Sequence, residues 1–184
     1  MTIPVLFIHG AGEGAHAADA KLAASLQDNL GANYRVHCPP MPSEGAPAYA
    51  AWHAQIREEL NALTDAIVLV GHSLGGSVLL KYLSEERITT PIAGLFLVAA
   101  PYWGAVDWEI EEYTLGKTFA AHLPASLPIF FYHSRDDEIV PFDHAEHYVA
   151  QLPEATLRTF TNRGHQFHDD LSEVAQDIWQ LANG

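Results

Sequence analysis

Short apolar runs alternate with stretches of helical apolar spacing along the whole chain. The apolar runs predict strands, and the stretches with apolar residues three or four positions apart predict helices. The predicted strands lie near 3–9, 34–38, 66–71, 92–99, 128–133 and 156–160. The predicted helices lie near 16–29, 48–63, 74–86, 143–151 and 167–182. This alternation predicts an α/β fold, in which a parallel sheet is covered by helices on both faces.

One segment, 102–127, interrupts this alternation. It carries Trp103, Trp108 and several acidic residues, and it has no clean strand and only weak helical spacing. Because it follows the predicted strand at 92–99, it should emerge at the carboxyl edge of the sheet, where open α/β sheets bind ligands. We interpret it as a short lid or pocket wall, with Trp103 as a candidate pocket residue. The alternative is a surface excursion whose aromatic side chains pack on the core.

The segment 71–76 has the sequence GHSLGG and directly follows the apolar run 66–70. A serine between glycines, in a strand–turn–helix context, is what a nucleophile elbow requires. The glycines are needed because side chains in so tight a turn would clash with the neighbouring backbone. A motif this short also occurs as an ordinary glycine-rich turn, but the apolar run before it and the helical spacing after it favour the elbow. Ser73 is therefore the candidate nucleophile.

A serine nucleophile needs a base to take its proton and an acid to orient that base. Asp136 and Asp137 follow the predicted strand at 128–133, and Asp137 is favoured because its Asp-x-x-Val-Pro spacing leads into the next helix. Asp136 is the rival candidate for the acid, although a turn-forming or helix-capping role would also explain it, and an ordinary acidic loop would explain both aspartates. His165 is the candidate base, since it follows a glycine that lets the loop aim the ring. The rival His168 lies at the predicted helix start and is expected to face solvent.

The oxyanion of such a reaction needs backbone N–H donors. One donor should be Leu74, directly after the nucleophile, and the other should come from the loop 9–14 with the sequence HGAGEG. We choose the N–H of Ala11, with Gly12 as the alternative. A phosphate-binding turn is the competing interpretation of this loop. It is disfavoured because the G-x-G-x-x-G spacing is missing and the second predicted strand ends without an acidic ribose ligand.

Composition narrows the possible partners. The formal net charge of −14 repels nucleic-acid phosphates and anionic membrane surfaces, so we expect neither as a partner. No apolar stretch is long enough to span a membrane, and the first residues look like a strand rather than a signal peptide. The single cysteine, Cys38, cannot form an internal disulfide, which fits a reducing compartment. With no sign of linkers or repeats, we expect one cytoplasmic domain over 1–184.

The 11 histidines raise the question of a metal. His144 and His147 are three residues apart, with acidic residues nearby, but no H-E-x-x-H or cysteine-rich spacing is present. We therefore expect solvated helix faces rather than a metal site, and no cofactor. His72, inside the elbow, is interpreted as a packing residue rather than as the base.

Taken together, the chain resembles the α/β-hydrolase superfamily, and most closely the small serine hydrolases of the retinoblastoma-binding type, including the bacterial YdeN-like group. The resemblance rests on six motifs: FIHG at 7–10, PPMP at 39–42 with Trp52, GHSLGG at 71–76, VAAP at 98–101, DEIVP at 137–141 and Gly164-His165. The resemblance implies a minimal three-layer fold with about six parallel strands and a short lid. It also implies Ser73 as nucleophile, Asp137 as orienting acid and His165 as base. The chain has no Leu-x-Cys-x-Glu sequence, so binding of the retinoblastoma protein is not implied.

The leading hypothesis is hydrolysis of a small ester, thioester or activated amide through an acyl-serine intermediate. The alternative is a non-catalytic protein-binding module that uses the aromatic segment around Trp103 and Trp108 as a partner surface. A complete serine, aspartate and histidine set argues against it. A dehalogenase or epoxide hydrolase would need an aspartate at position 73, which is a serine.

Overall fold

The computed structural model describes residues 2–183 and is built around one six-stranded sheet. The strands are β1 Ile3–Ile8, β2 Tyr34–His37, β3 Ile67–His72, β4 Ile92–Val98, β5 Ile129–Ser134 and β6 Thr156–Phe160. All neighbours pair in parallel, in the order β2-β1-β3-β4-β5-β6. The predicted strands and the parallel α/β architecture are confirmed. Met1 and Gly184, the ends of the predicted domain, lie outside the described residues.

Helices cover both faces of this sheet. They are α1 Ala15–Leu30, α2 Tyr49–Asn61, α3 Leu74–Glu85, α4 Phe119–His122, α5 Asp143–Gln151 and α6 Ser172–Asn183. Helices α1 and α6 pack together on one face, and the other face carries α2, α3 and α5. None of the helices within residues 2–183 combines the length and the apolar character needed to cross a bilayer.

The two faces of the sheet bury separate cores. On β1, Val5 and Phe7 join the cluster under α1 and α6, whereas Leu6 and Ile8 join the cluster under α2 and α3. Successive side chains of a strand point to opposite faces, so a strand that is apolar throughout must be covered on both sides. The predicted three-layer architecture follows from this pattern and is confirmed.

The last helix differs from its predicted span of 167–182. Residues Phe167–Asp169 form a short 3-10 turn in which all three φ angles are positive, near 51° to 57°, so α6 begins only at Ser172. Phe167 is buried and packs edge-on against Phe160, with 5.3 Å between the ring centroids. Asp170 then accepts a hydrogen bond from the Ser172 N–H at 2.9 Å and starts the helix. Because Phe167 is apolar and buried, it extends the helical apolar spacing of α6 backwards, and the predicted helix therefore begins at 167 instead of at Ser172.

The candidate catalytic residues follow the carboxyl ends of different parallel strands. The glycine loop 9–14 follows β1, Ser73 follows β3, Asp137 follows β5 and His165 follows β6. Because carboxyl ends of parallel strands share one edge of the sheet, the topology gathers these segments on one side of the molecule. The segment 102–127 follows β4 and emerges at the same edge.

Candidate active site

Ser73 lies at the turn between β3 and α3 with a strained backbone. Its φ of 50° and ψ of −126° define a backbone conformation that residues other than glycine rarely adopt. Backbone strain of this kind clusters at functional sites. The neighbours are packed too closely for side chains. A Cβ on Gly75 would lie 2.2 Å from the carbonyl oxygen of Ile8, and one on Gly71 would lie 2.6 Å from the Gly76 Cα. The elbow glycines are therefore required by close backbone approach, as the sequence analysis expected.

Asp137 and His165 are brought together from two different strand ends. The Nδ1 atom of His165 lies 2.9 Å from Oδ2 and 3.0 Å from Oδ1 of Asp137. The carboxyl group is completely buried, whereas 13% of the His165 side chain is exposed. A carboxylate can only accept, so Nδ1 carries the proton and Nε2 is the nitrogen that remains to act as a base.

Several donors hold the Asp137 carboxylate. Its Oδ1 accepts the N–H groups of Ile139 at 2.9 Å and Val140 at 2.8 Å. The Nε2 atom of buried His133 lies 2.8 Å from the carbonyl oxygen of Val140 and 3.4 Å from Oδ2, so its N–H is shared between the two acceptors. Burial by itself would raise the pKa of Asp137, but hydrogen bonds from His133 and His165, the charge of His165 and the N–H of Val140 outweigh it and lower the pKa. The group is thus kept ionised, as an acid that orients a histidine must be.

Asp136 binds other partners than His165. Its side chain accepts hydrogen bonds from the Ser134 hydroxyl and, at 3.0 Å, from the Gly164 N–H. It therefore ties the loop after β5 to the loop that carries the histidine. The rival histidine, His168, is exposed and sits in the 3-10 turn with a φ of 51°. The structure brings Asp137 and His165 into contact and leaves both rivals outside the pair.

A cleft of about 210 Å³ opens beside Ser73. It is lined by Gly10, Ala11, Gly12, Glu13, Gly14, Ala15, Ala18, Asp19, His72, Ser73, His165 and Gln166. The candidate nucleophile, the candidate base and the glycine loop therefore share one cavity. Its other walls include the alanines at the start of α1 and the polar side chains of Glu13, Asp19 and Gln166. A larger cavity of about 390 Å³ lies near the amino ends of the strands, far from this constellation, and includes none of these residues.

The two candidate donors in the glycine loop, Ala11 and Gly12, differ in whether their N–H groups already have an acceptor. Gly10 donates its N–H to Asp19 at 2.8 Å, and Gly12 donates its N–H to the carbonyl oxygen of Glu44 at 2.7 Å. Within residues 2–183 no such acceptor holds the N–H of Ala11, which lines the cleft. Leu74 is the first residue of α3, so its N–H has no partner within the helix. These bonds favour Ala11 over Gly12 as the second donor.

Trp103 does not line the cleft that contains Ser73. Its ring packs against Trp108 at 5.2 Å and against Tyr113 at 4.9 Å, and it lies on the core cluster under α3. The segment 102–127 itself forms a 3-10 turn at Glu111–Tyr113 and the short helix α4. Its tryptophans therefore pack inward, which corresponds to the alternative interpretation of this segment, and the structure does not join Trp103 to the other candidate residues.

Of the two histidines expected on solvated helix faces, His147 is exposed, but His144 is buried, so the expectation is wrong for His144. The Nδ1 atom of buried His144 accepts the N–H of Tyr102 at 2.8 Å, and the His147 ring lies 5.2 Å from the Tyr102 ring. Among the described residues, no group of three or more histidine, cysteine, aspartate or glutamate side chains is arranged to hold a metal ion.

One pair of residues at the site was missed by the sequence analysis. His72 is buried, as expected, but its ring is also hydrogen-bonded through both nitrogens, and one partner is the buried carboxyl of Asp19 on α1. A signal was present: Asp19 lies three and four residues before the buried Leu22 and Ala23, on the apolar face of its helix. A carboxylate in such a position needs a buried partner.

Comparison with known proteins shows the family and the fold of the chain. Residues 7–173 match the model of the serine hydrolase family, and the chain belongs to that family. No curated protein sequence matches it significantly. The α/β-hydrolase fold resembles that of the Bacillus subtilis ydeN gene product, with a TM-score of 0.78 and 22% identity over all of both chains.

Two further solved structures share the fold. The CarC serine hydrolase involved in carbazole degradation has a TM-score of 0.76 and 14% identity, over 98% of this chain and 91% of its own. The esterase domain of a Rhodothermus marinus protein has a TM-score of 0.68 and 16% identity, over 98% of this chain and 87% of its own. The fold resemblance that the motifs indicated is confirmed.

Proposed function

We propose that this serine hydrolase cleaves small carboxylic esters, thioesters or activated amides through an acyl-serine intermediate. The observation that carries the proposal is the contact of His165 Nδ1 with the buried Asp137 carboxylate, together with the cleft that His165 and Ser73 both line. A serine hydroxyl is a weak nucleophile until an oriented base takes its proton, and this arrangement supplies both the base and its orientation.

In the acylation step, the Ser73 Oγ attacks the substrate carbonyl carbon while His165 Nε2 takes the hydroxyl proton. The carbonyl oxygen becomes an oxyanion between the N–H groups of Leu74 and Ala11. Collapse of this intermediate breaks the bond to the leaving group, which receives the proton from His165 and departs as an alcohol, thiol or amine. Throughout this step, Asp137 accepts a hydrogen bond from the Nδ1–H of His165 and stabilises the imidazolium that forms.

In the deacylation step, water replaces the leaving group. His165 removes one proton from the water, whose oxygen attacks the acyl carbon, and the same oxyanion donors are used again. The intermediate releases the carboxylic acid and returns the proton to Ser73. The cycle consumes one water and needs no cofactor.

The non-catalytic alternative receives less support from the structure. Trp103 packs on the core and on Trp108, and the Trp108 ring also packs edge-on against His144, so the two rings do not form an open aromatic surface for a partner. A binding module would also have no use for a strained serine at a helix start or for a buried carboxylate behind a histidine.

Stopped-flow hydrolysis of p-nitrophenyl acetate tests the proposal. An acyl-serine mechanism with slow deacylation gives a burst of p-nitrophenol equal to the enzyme concentration. Ser73→Ala should show no burst and should lose steady-state activity, whereas Ser84→Ala, which alters a serine near the end of the same helix, should retain both. Wild-type protein without turnover on esters, thioesters and aminoacyl esters would contradict the proposed function.

A further inference from the structure

Behind the candidate nucleophile lies a second aspartate–histidine pair. The Asp19 Oδ2 atom on α1 is 2.8 Å from the Nδ1 atom of His72, the residue before Ser73. The two side chains are 2% and 3% exposed, so the pair is shielded from solvent. The reaction scheme above uses neither residue.

Both ring nitrogens of His72 face acceptors. Nδ1 faces the Asp19 carboxylate, and Nε2 lies 3.0 Å from the carbonyl oxygen of His165. A carboxylate and a carbonyl can only accept, so both nitrogens must donate, and the ring is an imidazolium. Burial alone would lower the pKa of His72, but the charge and hydrogen bond of Asp19 and the His165 carbonyl raise it above the ordinary value.

Asp19 supplies the matching negative charge. It accepts three hydrogen bonds: from His72, from the Gly10 N–H at 2.8 Å and from the Gln166 side chain at 2.7 Å. Burial would raise the pKa of its carboxyl, yet the charge and hydrogen bond of His72, with the bonds from Gln166 and Gly10, lower the pKa to about 2. Asp19 and His72 are thus a neutralised ion pair within the fold.

The pair and its hydrogen-bond partners link three of the four segments that carry the proposed chemistry, all but the loop after β5. Gly10 precedes Ala11 in the glycine loop, His72 precedes Ser73 in the elbow, and His165 and Gln166 belong to the loop after β6. A Cβ on Gly10 would lie 3.1 Å from the Cβ of Ser73, so these loops are also in close contact. The His72 and His165 rings are 4.9 Å apart.

We propose that Asp19 and His72 are positioning residues, which hold the Ala11 N–H, the Ser73 hydroxyl and the His165 ring in register for catalysis. This inference rests on the proposed function. The pair acts through backbone groups: Asp19 fixes the Gly10 N–H, and His72 fixes the His165 carbonyl. Small displacements of reacting groups are costly, since a misplacement of about 1 Å can lower a rate by about 100-fold.

The charge state is tested first on the wild-type protein, without any variant. In 15N-histidine-labelled protein at pH 7, His72 should show two ring nitrogens that each carry a proton. A His72 with one protonated nitrogen would overturn the inference, because one of its two contacts could then not be a hydrogen bond. His72→Gln assigns the signals.

The kinetic test uses Asp19→Asn, with Asp28→Asn on the exposed face of the same helix as the matched control. An amide at position 19 keeps the shape but removes the charge that keeps His72 doubly protonated. We expect kcat for p-nitrophenyl acetate to fall about 10- to 100-fold while KM changes less than about threefold, because alignment rather than binding is lost. The control should keep wild-type kcat.

A structural role alone would give a different result. If Asp19→Asn lowers the urea midpoint but leaves kcat within twofold of wild type under folding conditions, the positioning role is refuted. If Asp19→Asn does not fold, a singly protonated His72 in the 15N measurement still overturns the inference, and Asp19→Glu, which keeps the charge but moves it, replaces Asp19→Asn in the kinetic test. Failure of the proposed function is recognised separately, since Ser73→Ala would then retain wild-type activity or wild type would have none.

Discussion

The Asp137 carboxylate, completely buried, lies 2.9 Å from the Nδ1 atom of His165, 28 residues further along the chain. This contact selects one tautomer of the imidazole and turns Nε2 toward the role of base. It also distinguishes Asp137 from the adjacent Asp136, whose carboxylate accepts hydrogen bonds from Ser134 and Gly164 instead. The two carboxylates can therefore be distinguished by matched substitutions.

We expect Asp137→Asn to lower kcat by roughly four orders of magnitude, because the amide favours the wrong tautomer and no longer stabilises the imidazolium. Asp136→Asn should lower kcat by about tenfold at most, since an amide oxygen can still accept the Gly164 N–H. Steady-state hydrolysis of p-nitrophenyl acetate by both purified variants measures the ranking. If Asp136→Asn lowers kcat more than Asp137→Asn does, the orienting acid is Asp136 and the assignment of Asp137 is wrong.

The Asp19–His72 pair should make stability depend on pH in both directions. The pKa of Asp19 is lowered from 3.8 to about 2, so its contribution is complete above pH 3.8 and is lost as the pH falls toward 2. The pKa of His72 is raised above 6.5, so its contribution is complete below pH 6.5 and is lost as the pH rises through the raised value. Asp137, which also acts on His72, remains ionised over this range because its own pKa is lowered.

The difference in unfolding free energy between wild type and Asp19→Asn should therefore be largest between pH 3.8 and 6.5. Urea unfolding at a series of pH values from 2.5 to about 9 measures it. A difference that is independent of pH would show that the two groups do not form an ion pair. Asp28→Asn serves as the control and should follow the wild-type curve.

The backbone strain at Ser73 should appear as an inverted ranking of alanine and glycine. Glycine usually costs about 0.5–1 kcal/mol relative to alanine, because it gains more freedom in the unfolded chain. At a φ of 50° and a ψ of −126°, alanine keeps a strain of about 1–3 kcal/mol that glycine avoids. We expect Ser73→Gly to be at least as stable as Ser73→Ala in urea unfolding. If Ser73→Ala has a clearly higher unfolding free energy than Ser73→Gly, the backbone at position 73 is not strained.

The close approach of α3 to β1 predicts a severe effect of Gly75→Ala. The added Cβ would lie 2.2 Å from the Ile8 carbonyl oxygen, which belongs to the central sheet and cannot move freely. We expect a loss of about 3 kcal/mol or more in unfolding free energy, with loss of activity. Gly116→Ala is the matched control, because a Cβ there meets nothing within 4 Å. Equal stability of the two variants would contradict the packing at the elbow.

The cleft beside Ser73 should limit the acyl chain. Its volume of about 210 Å³ suits short acyl groups, so we expect kcat/KM for p-nitrophenyl esters to peak between acetyl and butyryl. Ala18→Leu should narrow the cleft and lower the rate on butyryl more than on acetyl esters, by about tenfold. Ala24→Leu, exposed on the same helix, should change neither. A steady rise toward palmitoyl would indicate a deep acyl channel.

Much of the fold was predictable because its signals are local. The apolar run before Ser73 and the helical spacing after it predict a strand and a helix from neighbouring residues, and the alternation of such units predicts a parallel sheet. The order of strands then places Ser73, Asp137 and His165 at one edge. Asp137 could be preferred over Asp136 because the Val-Pro spacing is also a local property.

Other features depend on contacts that spacing does not encode. Asp19 and His72 are 53 residues apart in sequence, so only the packing of α1 against the elbow reveals that they are partners. The ring of Trp103 could have pointed into the cleft or onto the core, since the direction of a side chain in an irregular segment follows from its neighbours. The start of α6 was misplaced because Phe167 is anchored by Phe160, across the loop.

The central claim is that Ser73 is a nucleophile activated by His165 and Asp137. Its most direct test is reaction with a fluorophosphonate, followed by mass spectrometry of the intact protein and of its peptides. We expect one phosphonyl group per chain, located on Ser73, at a rate that falls by orders of magnitude in Asp137→Asn and in His165→Ala. Labelling at another serine, or labelling that is as fast in these two variants as in wild type, would contradict the account.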